Sequence, residues 1–130
     1  MLIAWWRWRG YLLKIMENIR IITGKISLAE LKKIAEERFG DMVKGVVDIE
    51  KGIMAIGGEM HADEEAVLLE NGSSQANLWG INLYPDNSGE DFVEFDSMIN
   101  IRPRQNNRSR SVEDENVRQQ ILEIVKKIVG

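Results

Sequence analysis

The chain has 130 residues, 44% of them apolar, which is the size of one ordinary domain with enough apolar surface to bury a core. Its 17 basic side chains against 21 acidic ones exclude a surface built throughout to condense on phosphate backbones, so nucleic acid is a disfavoured partner and only a local basic patch stays open. No cysteine is present, which excludes disulfides, thiolate metal sites and cysteine nucleophiles and fits a reducing compartment, the cytoplasm.

Residues 1–16 differ in composition from the rest: Trp5, Trp6 and Trp8 alternate with Arg7 and Arg9, while the rest of the chain holds only Trp79. Arginines inside the aromatic run and the lack of a small-x-small site argue against a signal peptide. The run is broken well before the roughly 20 apolar residues of a transmembrane span. Two readings stand: an interfacial anchor of tryptophan and arginine, or an upstream extension outside the fold, with the true start at Met16. The extension is preferred, leaving 17–130 as one domain.

The β-branched alternation Asn18 to Thr23 predicts a first strand ending at Gly24. Ser27 and Glu30 form a capping box, Ile26 and Leu31 are spaced to staple it, and Leu28, Leu31, Ile34, Ala35 and Phe39 recur at helical spacing up to Gly40. Met42 to Glu50 and Ile53 to Ile56 then predict a hairpin turning at Lys51-Gly52. Asp63 is the expected cap of a short helix running to Glu70, closed by Asn71-Gly72.

Asn77 to Tyr84 and Phe92 to Arg102 read as two long strands joined by a loop of turn formers, 85–91. In the second, Val93, Phe95, Ile99 and Ile101 are expected on a core face, and Glu94, Asp96, Asn100 and Arg102 on a polar one. Ser111 is the expected cap of a last helix with the apolar stripe Val117, Ile121, Ile124, Val125 and Ile128. The order βαββαββα predicts an α+β domain, a mostly antiparallel sheet with helices packed on one face.

His61, the single histidine, lies among carboxylates and could shuttle a proton with Glu59 orienting it. The structural alternative, a ring satisfying backbone groups near a helix start, carries more weight. A metal held by His61, Glu59 and Asp63 is disfavoured, because zinc sites draw on more histidine or cysteine and oxygen-ligated ions need another spacing. No metal or cofactor is therefore expected. Residues 101–110 hold four arginines and no acid, the best anion-site candidate. Arg104 and Arg110 lean towards a helix-cap network with Glu113, Asp114 and Glu115, whereas Arg102 and Arg108 are balanced between structure and ligand. Trp79, followed by Gly80, lies where a ligand or a second backbone can approach, and Asn82 and Asn100 are polar residues on expected strands. For each of these three, burial in the core or satisfaction of backbone groups is the alternative. No phosphate loop, Rossmann glycine pattern, nucleophile elbow or zinc motif appears.

The segments Asp48-Ile-Glu-Lys-Gly52, Gly57-Gly-Glu-Met-His-Ala-Asp63, Leu78-Trp-Gly-Ile-Asn82, Asn100-Ile-Arg-Pro103 and Asn107-Arg-Ser109 resemble a family of short, uncharacterised prokaryotic proteins, a domain of unknown function of about this length. The resemblance spans Ile26 to Ile124 and implies no catalytic role for any residue. The leading functional expectation is a small binding or regulatory module whose Arg102 and Arg108, with Asn82, Asn100 and Trp79, hold an anionic group on a ligand or protein partner. The alternative is a small metal-independent hydrolase or nuclease using His61, Glu59 and the arginines. A third reading is a homo-oligomer that buries strand edges or the C-terminal stripe against its own copy.

Overall fold

A computed structural model describes residues 18–130. The tryptophan-rich extension expected over 1–16 lies outside the described residues. Five strands form one antiparallel sheet: β1 (Arg20–Ile22), β2 (Val43–Asp48), β3 (Ile53–Ile56), β4 (Leu78–Leu83) and β5 (Val93–Glu94), in the order β1-β3-β2-β4-β5. The helices are α1 (Leu28–Arg38), α2 (His61–Glu70) and α3 (Glu115–Ile128), with short 3-10 turns between the later elements. The α+β class and the antiparallel sheet are as expected. No helix among the described residues is long and apolar enough to cross a membrane.

Strand alternation places Val43, Val47, Met54, Ile56, Ile81 and Leu83 on one face, where they pack with Leu31 and Ala35 of α1 and Ile121, Val125 and Ile128 of α3. The opposite face carries Val46, Ala55 and Leu78 against Val67 and Leu68 of α2. Helices therefore cover both faces of the sheet, which corrects the expectation of one. The reason lies in β2 to β4, whose residues are apolar on both sides, so neither face can be left to water.

The Ser27 hydroxyl accepts from Glu30 N–H at 3.1 Å, as the capping box requires. The reciprocal half is replaced: the Glu30 carboxylate turns to Arg20 at 3.5 Å. Ile26 and Leu31 are both buried in one cluster. Gly52 takes φ +67 at the hairpin turn, and Asp48 clamps that turn by accepting from the N–H groups of Glu50 and Lys51 and the hydroxyl of Ser73. Helix α2 begins two residues before the expected cap, with Met60 at the N-cap position and no side-chain cap, so Asp63 lies in the first turn. At the last helix Asp114, not Ser111, caps, accepting from Asn116 and Val117 N–H. The Ser111 carbonyl and the Glu113 N–H are both bonded to Asn107, which holds the chain extended past Ser111.

The largest departure is Phe92 to Arg102, where only Val93 and Glu94 pair with β4. Beyond them Ser97 bends the chain into a 3-10 turn by accepting from Ile99 N–H. The Asn100 side chain then does what a strand backbone would have done: its Oδ1 accepts from Gly80 N–H at 2.8 Å and its Nδ2 donates to Gly80 C=O at 2.9 Å. The approach is so close that a Cβ on Gly80 would stand 2.5 Å from Ser97 Cβ. Asn100 is consequently fully buried and Ile101 40% exposed, the reverse of the expected alternation.

Candidate functional site

The face of the sheet shared with α2 opens into a cavity of about 510 Å³. Its floor is one cross-strand row, Lys44 on β2, Asn82 on β4 and Glu94 on β5, since Lys44 pairs with Asn82 and Asn82 with Glu94. Residues opposite one another in antiparallel strands put their side chains on the same face, so the register by itself gathers these three. His61 from the start of α2 forms one wall. Asp96, Met98 and Arg110 form the other, with Tyr84 at the end of β4 and Met60 at the rim.

The His61 ring is buried and its Nε2–H donates to the Ile81 carbonyl at 2.8 Å, which fixes the neutral tautomer and leaves Nδ1 with a lone pair. Burial holds the imidazole below its ordinary 6.5, and the Lys44 ammonium adds to that. The Ile81 carbonyl, the Asn82 amide and the Asp96 carboxylate work in the opposite direction. Asn82 Nδ2 donates to Glu94 Oε1 at 2.8 Å and to the Asp96 carbonyl at 3.3 Å. Glu94 Oε1 also accepts from the Tyr84 hydroxyl at 3.0 Å. Asn82 itself is 5% exposed, and its Oδ1 is buried and closes no hydrogen bond. Arg110 Nε meets Asp96 Oδ1 at 2.6 Å on the exposed side of the cavity. Lys44 forms no ion pair among the described residues and stands 5.2 Å from the Phe39 ring centroid.

One turn beyond His61, Glu64 is fully buried. Its Oε2 accepts from Gly58 N–H at 3.0 Å while Oε1 has no partner. Burial raises this carboxyl well above its ordinary value, against the opposing Gly58 hydrogen bond and Lys44 charge. A Cβ on Gly58 would stand 2.9 Å from Glu64 Cγ, so the Gly-Gly bend is what admits the side chain.

Of the residues expected to form a site, His61 and Asn82 meet in this cavity and the others lie elsewhere. Glu59 is exposed and pairs with Arg38 at 3.4 Å, leaving Ile81 to orient the histidine. Asn100 is committed to Gly80. Arg102 stacks 4.0 Å from the Trp79 ring centroid and donates through Nη1 and Nη2 to the carbonyls of Gln75 and Leu78. Its half-burial pulls its pKa down, against the opposing charge of Glu65. At Arg108 the loop amides do bind an anion, but an internal one: Glu113 Oε2 accepts from Arg108 N–H, Ser109 N–H and the Ser109 hydroxyl. Those bonds hold the Glu113 carboxyl below its ordinary value. Arg102→Ala should therefore cost about 2 kcal/mol in denaturant unfolding, because two carbonyls lose their donors and Trp79 its stacked cation. Arg102→Lys should recover little of it, since an ammonium cannot span both carbonyls.

Lys44, Glu94 and Glu64 were missed as site residues, and Arg110, expected in a helix-cap network with Glu113, Asp114 and Glu115, instead pairs with Asp96 in the cavity lining. Lys44 carried the clearest signal, a charge inside the apolar run Met42 to Val47. Glu64 could have been found by its spacing from His61, three residues on along the same helix. Among the described residues no three His, Cys, Asp or Glu side chains gather as a metal site.

A family model described as a protein of unknown function, DUF5674, matches residues 20–128. No curated protein and no solved structure matches the chain.

Proposed function

Because the chain belongs to the DUF5674 family, whose description carries no activity, its function is read from the cavity geometry, and we propose a small binding module that holds an anionic group on a ligand against Lys44 and Arg110 in the His61 cavity. The observation that carries this reading is Lys44, a cation on a cavity floor that meets no carboxylate within ion-pair distance among the described residues. A bound anion would complete it. The cysteine-free sequence supports a reducing compartment, the cytoplasm, as the place where the module works.

Inorganic phosphate and acetate are the first probes, with thermal unfolding as the readout. At an anion concentration ten times its Kd the wild type should gain about 1.4 kcal/mol, Lys44→Ala should lose that gain, and Arg110→Ala should keep only part of it. An identical shift in Lys44→Ala would sink the site. A hydrolytic reading draws some support from the His61 ring, which burial keeps neutral and whose Nε2–H is held by Ile81, leaving Nδ1 as the basic nitrogen. Its expected partners Glu59 and Arg102 are engaged by Arg38 and by carbonyls, which favours binding over turnover. A nitrophenyl phosphate in the same panel reports turnover directly.

A further inference from the structure

The floor of the His61 cavity changes sign along its length, from Lys44 through the neutral Asn82 to Glu94. The opposite wall repeats the arrangement with Arg110 beside Asp96. A site built for an anion alone would not place two carboxylates in its lining, because each repels the ligand. Asn82 orders this end of the floor: its amide nitrogen donates to Glu94 and to the Asp96 carbonyl, and its amide also acts on the His61 ring, so the Glu94 carboxylate is held in place as the acceptor of the cavity. The rim is apolar, with Met60 57% and Met98 65% exposed and Met42 and Ile99 below them. Exposed methionines are adaptable apolar surface, suited to an aliphatic or aromatic side chain.

We propose that the ligand is a zwitterion of amino-acid type with an apolar side chain: carboxylate towards Lys44 and Arg110, ammonium towards Glu94, side chain between Met60 and Met98. The proposal rests on the anion-site reading and adds the cationic and apolar halves of the ligand. Lys44 and Glu94 stand two strand spacings apart, roughly 10 Å at the backbone, less after their side chains converge. A free amino acid and a dipeptide, whose termini lie roughly 7 Å apart when extended, are the two sources of this chemistry. A cavity of about 510 Å³ has room for either.

Calorimetric titration of the full chain with L-leucine and Leu-Leu separates the sources, and N-acetyl-L-leucine and L-leucinamide remove the ammonium and the carboxylate in turn. The expected result is binding of leucine or Leu-Leu, with at least tenfold weaker binding of both blocked forms. Glu94→Gln keeps an acceptor for Asn82 and Tyr84, so it should fold and bind the free zwitterion about tenfold more weakly, while N-acetyl-L-leucine, relieved of one repelling carboxylate, should bind no more weakly than to the wild type. Equal affinity for N-acetyl-L-leucine and leucine would overturn the ammonium half and leave the anion reading standing. A phosphate shift without any response to leucine or Leu-Leu would overturn the zwitterion altogether. Silence towards every probe, phosphate included, would remove the anion site and this proposal together.

Discussion

Asn107→Ala should cost about 3–4 kcal/mol in urea or thermal unfolding, the largest loss expected of any single polar side chain in the molecule. Asn107 is 3% exposed. Its Nδ2 donates to the carbonyls of Asn100, Ser109 and Ser111, at 2.7, 3.2 and 2.7 Å, and its Oδ1 accepts from Glu113 N–H at 2.8 Å. Its own backbone bridges to Arg102 through a pair of N–H to C=O bonds. One amide thus joins the 3-10 turn that carries Asn100, the arginine loop and the approach to α3. Truncation leaves buried backbone groups without partners, each costing about 1–3 kcal/mol, and the loss is partly offset where water can enter. Asn107→Asp is the sharper control, because a carboxylate keeps the shape and the acceptor but removes the donors. Arg104→Ala, on the exposed side of the same loop, should change stability by less than about 0.5 kcal/mol. A loss at Asn107 no larger than at Arg104 would mean that the loop is held by something else.

Glu64→Gln should leave stability unchanged at acid pH and raise it as pH increases, by on the order of 1–3 kcal/mol at neutrality, the usual cost of a buried group that cannot be satisfied. The sign follows from linkage. A carboxyl whose folded pKa is raised above its unfolded value binds its proton more tightly when folded. Its contribution is intact below the ordinary value near 4.5 and is lost as pH rises from there through the folded value. Glutamine reproduces the protonated acid: its Oε1 can accept from Gly58 N–H and its amide replaces the O–H, so the variant carries no such pH dependence. His61 acts in the other direction. Its folded pKa is depressed by burial, so its contribution is intact above the ordinary 6.5 and is lost as pH falls through the lower folded value. The difference between wild type and Glu64→Gln, measured by denaturant unfolding from pH 4 to 8, isolates the carboxyl. A flat difference would show that Glu64 is ionised in the fold at a compensated site.

Elements with a strong local signal were legible before any coordinates. The Ser27 cap, the turn at Gly52 and the stripe of α3 depend on residues within a few positions of one another, and each formed where expected. The family resemblance over the body of the chain was legible as well. Phe92 to Arg102 was not, because alternation describes a strand only if a backbone partner is present. Here Ser97 and Asn100 competed with the ladder through their own side chains, and Gly80 had no Cβ to keep Asn100 away. The arginine segment failed as a site for a similar reason. Its charge was visible, but the carbonyls of Gln75 and Leu78 that absorb Arg102 lie more than twenty positions away in the chain.

The amino-acid sequence by itself determined the class of fold, the helices and the hairpin, since these follow from local periodicity and from turn and cap residues within a few positions of one another. Only the tertiary structure decided which residues share the His61 cavity. The antiparallel register put Lys44, Asn82 and Glu94 in one row, the return of α2 laid His61 beside them, and Asn107 drew the arginine loop round so that Arg110 alone of its arginines reached the cavity. Register and strand order depend on pairings between segments far apart in the chain, and no local pattern encodes them.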